Sequence, residues 1–378
     1  MPKHFLGIDI ETKSGVDLRH SSVYKYVEDE DFDILLFGYS IDGAQVEVLD
    51  LSTSTYDRSN FSSVIQKLLA DPDYLKTAFN AEFERVCLQK FCGFPMDPEQ
   101  WDCTAVLSRR AGYPGQLKAV AKAMGFGDDK QKDSAGTALI NYFCKPQKKL
   151  IKHADGSESY FHVPDDDLER WNRFIEYNAQ DVVVEQAVRD NLQGVIYPKF
   201  EHTLWAYDQR MQERGVKVDY ELAESAIAVF DQIKDEALTE IQEITCCDNP
   251  NSNAQIKGWL TRKIGREIKS LAKDSIPGLM ESTADPDVRR VLELRQSTTL
   301  TSIAKYQAMY GYGCADGRVH GILQFYGAGK TGRWAGRGVQ LQNLPKNHIA
   351  AERPKGSRLT GLELAKMGLT DARDVLKT

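Results

Sequence analysis

Short apolar runs with a period of two recur along the first eighty residues and predict β-strands. The predicted strands lie at residues 5–11, 34–41, 46–51 and 75–79. Between and after them the apolar period lengthens to that of amphipathic helices, which we expect at residues 61–69, 81–91 and 116–124. An opening β-meander followed by alternating helices and strands indicates a mixed α/β layer fold.

The pattern changes in the second half of the chain. Residues 130–167 are polar and interrupted by Pro146 and Pro164, so we expect them to be rich in loops. Three aspartates at residues 165–167 then precede a long helical pattern, for which they provide a cap. Beyond residue 198 helices are predicted at residues 204–214, 222–245, 254–264, 288–310 and 362–376. We therefore place a domain boundary near residue 200.

The length and composition of the chain are those of a multidomain globular protein. The 378 residues are enough for two or more domains, each with a core of its own. No run of eighteen residues is apolar throughout, and acidic residues appear too early for a secretory signal peptide. Seven cysteines without a Cys-x-x-Cys pair favour reduced thiols over a disulfide framework. These features predict a cytoplasmic protein without a membrane partner.

Charge is divided unevenly along the chain. Residues 251–378 carry 21 Lys and Arg against 11 Asp and Glu, whereas residues 1–250 carry 27 against 44. The stretch 317–351 contains several Lys and Arg but no acidic residue. Such a surface either binds phosphates or is a solvated basic face, and charge alone leaves both interpretations open.

Asp9 and Glu11 are two residues apart on the first predicted strand, so their carboxylates point to the same face of the sheet. Like charges on one face repel, and a divalent cation would neutralise them. The pair is therefore a candidate metal site. An exposed charged strand face is the alternative interpretation.

Two later segments carry acids or a phenol on predicted helices. Glu82 and Glu84 fall in the first turn of the helix that follows Asn80, where the helix dipole favours anions and Asn80 is a suitable cap. Tyr177 and Asp181 are four residues apart on another helix and share a face. Each segment has a purely structural explanation when it is taken alone.

Taken together and in this order, the three segments resemble the exonuclease motifs of the DEDD superfamily, in its tyrosine-bearing class. The motifs are D-I-E at residues 9–11, N-A-E-F-E at residues 80–84 and Y-N-A-Q-D at residues 177–181. The resemblance covers most of residues 1–195 and implies a ribonuclease H-like exonuclease domain at residues 1–200. The chain departs from the superfamily at Glu84, where aspartate is usual, and this puts the rate of hydrolysis in doubt.

The resemblance implies a role for each matching residue. The implied ligands of two Mg²⁺ or Mn²⁺ ions are Asp9, Glu11, Glu84 and Asp181. Glu84 would hold the second ion partly through water, and Tyr177 would orient the water that attacks the phosphodiester. Asn80 and Phe83 would contact the DNA. The implied activity is metal-dependent hydrolysis of DNA from its 3′ end.

The basic segment contains Gly329-Lys330-Thr331, which is how a phosphate-binding P-loop ends. A P-loop requires glycine where this chain has Gln324, and the glycines that follow do not favour the helix that such a loop opens. Residues 331–334 (T-G-R-W) and 341–345 (L-Q-N-L-P) are instead similar to motifs of family A DNA polymerases. Residues 205–219 also resemble the start of the polymerase portion of that family.

This second resemblance implies a partial polymerase domain at residues 201–378, with a mostly α-helical thumb followed by the start of a palm. The implied DNA contacts there are Lys330, Thr331, Arg333, Arg337, Gln342 and Asn343. Palm and fingers motifs of the family, D-Y-S-x-[IQ]-E and H-D-E among them, do not occur in the sequence. The chain therefore resembles the N-terminal portion of such a polymerase, as in a split or a truncated phage-type gene; in the split case a separate chain would carry the palm and fingers.

Three functions are compatible with these motifs. The first is a proofreading 3′→5′ exonuclease that binds single-stranded 3′ ends and primer–template duplex during DNA replication, in the host cytoplasm if a phage encodes it. The second is the DNA-binding scaffold half of a split polymerase with a weak or inactive nuclease site, which Glu84 favours. The third is an RNA-processing exonuclease of the same superfamily, which leaves T-G-R-W and L-Q-N-L-P unexplained.

Overall fold

The computed structural model describes residues 2–52, 65–126, 136–195, 197–298, 303–329 and 331–343. These residues form two compact units. The first unit takes its residues from Met1–Val218 and Gly311–Leu341, and the second from Asp219–Tyr310 and Gln342–Thr378. The helix predicted at residues 362–376 lies outside the described residues.

A five-stranded sheet organises the first unit. Its strands are β1 (His4–Lys13), β2 (Asp33–Ile41), β3 (Glu47–Asp50), β4 (Tyr74–Ala78) and β5 (Trp101–Cys103). Their order is β3-β2-β1-β4-β5, with β2 antiparallel to β1 and β3, and with β4 and β5 parallel to β1. The four predicted strands and the mixed α/β architecture are confirmed. The sequence does not predict β5, because three residues are too few to show an alternation.

Helices accompany the sheet in the described part of this unit. They are α1 (Val23–Tyr26), α2 (residues 65–70), α3 (Glu82–Cys92), α4 (Thr104–Arg110), α5 (Leu117–Ala123), α6 (Gly136–Phe143), α7 (Leu168–Asn191) and α8 (Lys199–Arg214). The longest, α7, packs against β1, β2 and β3. Its first turn is capped as predicted, because the Asp167 carboxylate accepts a hydrogen bond from the Arg170 backbone N–H at 3.0 Å. Phe174 then joins Leu36 of β2 in an apolar cluster.

The region predicted to be loops contains more regular structure than expected. β6 (Ile151–Lys152) and β7 (Glu158–Ser159) form a two-stranded hairpin. The loop prediction is wrong for α6, whose Leu139 and Phe143 are buried against α7. Eight residues are too short a window for the helical period to stand out, so tertiary packing decides the conformation.

The segment Gly311–Leu341 contributes two small sheets to the first unit. β8 (Val216–Lys217) pairs with β9 (Arg318–Val319), and β10 (Leu323–Ala328) pairs with β11 (Arg333–Gly336). α8 belongs to the same unit, because Trp205 is buried in the main core and α8 packs against β10. The boundary predicted near residue 200 thus falls inside a compact unit. A change in the period of apolar residues along the sequence indicates a change of secondary structure. It does not indicate which hydrophobic core a helix packs against.

The second unit is helical where it is described. Its helices are α9 (Tyr220–Thr245), α10 (Asn253–Ile264), α11 (Ile276–Glu281), α12 (Pro286–Ser297) and α13 (Ile303–Gly311). α9 packs against α12, and Ile241 of α9 and Val291 of α12 are fully buried there. The single helix predicted at residues 288–310 is two helices. None of the described helices in either unit has the length and apolar character that a membrane crossing requires.

Candidate metal centre and nucleic-acid interface

Three carboxylates converge between β1 and α7. Asp9 and Glu11 lie on the β1 face opposite Ile8 and Ile10, whose side chains are buried in the core, and Asp181 reaches them from α7. One ligand atom of each of the three acids lies within 4.8 Å of those of the other two. Glu11 and Asp181 are buried and Asp9 is half-buried, so their mutual repulsion is poorly screened.

This group of oxygen ligands suits a hard divalent cation such as Mg²⁺ or Mn²⁺, which prefers carboxylates. It is the only group of three or more potential metal ligands found among the residues that the structure describes. The sequence brings Asp9 and Glu11 together by strand alternation, and the docking of α7 on β1 adds Asp181.

Asn178 fixes the orientation of Asp9. Its side-chain amide donates to the Asp9 carboxylate at 2.8 Å and to the Asp9 carbonyl oxygen at 3.2 Å, and Asn178 is fully buried. Gly38 faces Asp9 across the β1–β2 pair, and a Cβ there would lie only 2.5 Å from Asn178 Oδ1. The glycine therefore gives α7 room to bring Asn178 against β1.

Sequence analysis misses both Asn178 and Gly38. The sequence contains one signal for Asn178. It lies three residues before Asp181 on the same predicted helix, so the two side chains share a face. Gly38 carries no local signal, because its role depends on the register of two strands and on the approach of a distant helix.

We expect Asn178→Ala to weaken divalent-cation binding by about 10- to 100-fold, because the residue that orients a ligand is lost. Calorimetric titration with Mn²⁺ measures the effect. Asn191→Ala is the matched control, since Asn191 lies on the same helix and its exposed amide donates only to the Ala187 carbonyl at 2.8 Å. Equal Mn²⁺ affinity in the two variants would show that Asn178 does not position Asp9.

Tyr177 lies beside the carboxylates and is almost completely buried. Burial, and next the Asp181 carboxylate, raise the pKa of its phenol well above the usual value. The hydroxyl is therefore protonated and can donate a hydrogen bond near Asp181. Gly136, at the start of α6, makes this placement possible, because a Cβ at that position would overlap the Tyr177 ring.

Glu84 stands apart from the three carboxylates. It is buried on α3, and it is not part of the group whose ligand atoms lie within 4.8 Å of one another. The Cys87 thiol lies one helical turn from Glu84. Burial raises the pKa of this thiol, and the Glu84 carboxylate raises it further. The fourth predicted ligand therefore lies in the first turn of α3 and outside the group of three carboxylates.

The predicted cap at Asn80 is wrong. α3 begins at Glu82, its cap position is Ala81, and no side chain caps it. Asn80 instead has a φ of 103° and its carbonyl accepts from the Phe83 backbone N–H at 2.8 Å. The chain must turn sharply between β4 and α3, and asparagine tolerates this left-handed backbone better than most residues.

A cavity of about 620 Å³ opens next to the three carboxylates, and Glu11 forms part of its wall. Its apolar lining includes Ile10, Val16, Leu18, Tyr26, Phe83 and Ile140. Phe83 and Tyr26 lie with ring centroids 5.9 Å apart. Lys145 adds positive charge to the wall, where Arg19 is paired with Asp17. The volume and apolar walls suit a nucleoside-sized group. Of the two predicted contacts in this region, Phe83 lines the cavity and Asn80 does not.

The predicted DNA contacts after residue 330 lie on irregular turns and one hairpin. Lys330 lies outside the described residues. Thr331 is in the turn between β10 and β11, while Arg333 and Arg337 are exposed within and just after β11. Thr331 leads into a strand and not into a helix, so the G-K-T sequence does not form a P-loop.

Gln342 and Asn343 lie in a single helical turn, and both are exposed. The Asn343 carbonyl accepts a hydrogen bond from the Lys305 side chain of the same unit. In the first unit, the Arg337 guanidinium donates to the Gln324 side chain on β10. The T-G-R-W hairpin is also attached to α8, because Trp334 Nε1 donates a hydrogen bond to the Asp208 carboxylate of that helix at 2.7 Å.

Comparison with known proteins relates the chain to DNA polymerases. No protein-family model matches it. It is 44% identical over 367 residues to the DNA polymerase of Bacillus phage SP02, a match that covers 95% of this chain and 55% of the phage protein. The chain thus spans about half the length of this curated relative.

A solved structure shares the fold. The chain is similar to the POL domain of Pol1 from M. smegmatis, in complex with DNA primer-template and dNTP, with a TM-score of 0.54 and 17% identity. This similarity covers 91% of this chain and 53% of that one. Together with the phage match it confirms the relationship to DNA polymerases that the sequence predicts.

Proposed function

This chain is a relative of a phage DNA polymerase along nearly all of its own length, and we propose that it carries the metal-dependent 3′→5′ proofreading exonuclease of a family A DNA polymerase. The observation that carries the proposal is the convergence of Asp9, Glu11 and Asp181, with ligand atoms within 4.8 Å of one another. Three poorly screened carboxylates repel one another, and bound divalent cations would offset that repulsion.

The sheet supports the assignment of residues 1–200 to a ribonuclease H-like exonuclease domain. Three antiparallel strands are followed by two that run parallel to β1, and β1 carries the first two acids at the centre of the sheet. α7 packs on this strand and supplies the third acid. These positions of the three acids support the resemblance to the DEDD superfamily.

Asp9, Glu11 and Asp181 would hold the cations, and Glu84 would reach a second one through water. Bound divalent cations activate water and stabilise the leaving 3′ oxygen of a phosphodiester. Tyr177, kept protonated by burial and by Asp181, donates a hydrogen bond that orients the attacking water. The cavity beside Glu11 receives the terminal nucleotide, whose base packs against Phe83 and Tyr26.

The remaining part of the chain would bind the duplex. Arg333 and Arg337 are exposed cations, and Gly332 next to Arg333 has no side chain to keep a phosphate from the backbone. Gln342 and Asn343 carry donors and acceptors that match minor-groove edges, and Lys330 adds a charge. The helices of the second unit would form the thumb, at the start of a partial polymerase domain over residues 201–378. Nucleotide addition would require palm and fingers motifs, and these do not occur among the 378 residues.

One experiment separates this function from its rival. The purified protein is incubated with single-stranded DNA labelled at its 5′ end and Mg²⁺ or Mn²⁺, with and without chelator, beside a primer-extension reaction. We expect shortening from the 3′ end that the chelator abolishes, and no extension.

The rival function is a DNA-binding scaffold with a weak nuclease site, which the position of Glu84 outside the carboxylate group favours. DNA binding without any shortening would replace the exonuclease by that scaffold.

A further inference from the structure

An exposed lysine-rich segment leads away from the cavity. Residues 145–152 have the sequence K-P-Q-K-K-L-I-K, with four lysines and no acid. Lys145 and Pro146 form part of the cavity wall. Lys148, Lys149 and Lys152 follow on the surface and are exposed. We call residues 145–152 the lysine strand.

The lysine strand is anchored at the end of β1, close to the carboxylates. The Ser14 backbone N–H donates to the Cys144 carbonyl at 3.4 Å, directly before the strand begins. The Gln147 N–H donates to the Tyr160 carbonyl at 2.7 Å, and Ile151–Lys152 pairs with Glu158–Ser159. The strand therefore starts at the cavity and continues outward as one arm of a hairpin.

The lysines are available to an external anion. No ion pair between residues that the structure describes involves any of the four. Glu158 lies opposite Lys152 in the hairpin, whereas the two acids before α7 are engaged within the fold. The Asp166 carboxylate accepts from the Val163 N–H at 3.0 Å and contacts His153 at 3.0 Å. Asp167 caps α7. The hairpin also exposes half of the Tyr160 side chain, a flat ring on which a base can stack.

We propose that the lysine strand binds the backbone of the single-stranded DNA that precedes the terminal nucleotide in the cavity. The segment begins at the cavity wall and ends in β6, so its lysines can contact phosphates that follow the terminal nucleotide outward. The four lysines form no ion pair with any residue that the structure describes, so they provide local positive charge that tolerates any base sequence. The inference rests on the proposed exonuclease function, and it extends that function to nucleotides beyond the one that is removed.

The test combines charge reversal with two substrate lengths. Lys148→Glu with Lys149→Glu is compared with Lys118→Glu and Lys122→Glu, an equal charge change on exposed lysines of α5. We expect the first variant to lower kcat/KM for a 20-residue oligothymidine by about tenfold or more, mainly through KM. Hydrolysis of trithymidylate, which is too short to follow the strand, stays unchanged, and the control variant acts on both substrates as the wild type does.

Binding gives a readout that does not depend on hydrolysis. With chelator present, the slope of log affinity against log salt for the 20-residue oligonucleotide should fall by about 1.4 when two phosphate contacts are lost. If the wild-type protein cleaves neither substrate, the proposed exonuclease function is wrong. The proposed DNA binding by the lysine strand is then tested by this slope alone. An unchanged slope, or an equal loss on both substrate lengths, would overturn the lysine strand.

Discussion

The rate at which the protein shortens single-stranded DNA is expected to fall by about a thousandfold or more when Asp181 is replaced by asparagine. Asparagine keeps the shape of the side chain but removes one of three negative charges that would hold the cations. Cation stabilisation of the transition state is worth several kcal/mol, and each 1.36 kcal/mol corresponds to a tenfold change in rate. The rate is measured under single-turnover conditions in saturating Mg²⁺.

The same substitution should make the protein more heat-stable in chelator. Asp181 is buried within reach of Asp9 and Glu11, so the asparagine lowers the repulsion among the three side chains in the folded state without cations. The wild type should gain thermal stability when Mg²⁺ is added, and the variant should gain much less.

Asp190→Asn provides the control on the same helix, because Asp190 is exposed and only accepts a hydrogen bond from Gln193 at 3.1 Å. It should leave the rate, the melting temperature in chelator and the response to Mg²⁺ unchanged. Normal hydrolysis by Asp181→Asn would mean that the carboxylate group is not the catalytic centre. A loss of activity shared by both variants would point to a general effect of charge on DNA binding.

Local patterns predict the two elements that carry the candidate centre. Alternation places Asp9 and Glu11 on one face of β1, and the i, i+4 spacing places Tyr177 and Asp181 on one side of α7. Neither pattern reveals that α7 docks on β1, because this packing depends on residues far apart in sequence. The resemblance to known exonuclease motifs supplied that step, and the structure brings three of the four predicted acids together.

What the sequence does not predict is set by long-range contacts. The Asn178–Asp9 hydrogen bonds require Gly38 on a neighbouring strand, and Tyr177 requires Gly136 on another helix. Asn80 has the composition of a cap, but the tight connection from β4 to α3 selects a left-handed conformation for it. Likewise, no periodicity indicates that Gly311–Leu341 returns to the first unit.

Arg85→Ala is expected to lower the free energy of unfolding of the first unit by about 3–5 kcal/mol, because it leaves buried partners without their cation. Arg85 follows Glu84 on α3 and is completely buried. Its guanidinium donates to the Met96 carbonyl at 3.2 Å, to the Gln209 side chain at 3.3 Å and to the Glu213 carboxylate. Urea unfolding followed by tryptophan fluorescence measures the loss, since Trp101 and Trp205 are buried in this unit.

Arg210→Ala is the matched control on α8. Arg210 pairs with Asp97 and Glu99 at 3.0 Å, but its side chain is 40% exposed, so its removal should cost about 1 kcal/mol or less. Replacing Arg85 by methionine and Glu213 by leucine together should recover part of the stability, because the Glu213 carboxylate is then no longer left without its cation, while Glu82 and Asp208 still lose the nearby Arg85 charge. Equal losses for Arg85→Ala and Arg210→Ala would show that burial adds nothing to the Arg85 contact. A large loss confined to Arg85 would instead identify this contact as the main attachment of α3, which carries Glu84, to α8. The Asp208 carboxylate of α8 also accepts the hydrogen bond from Trp334.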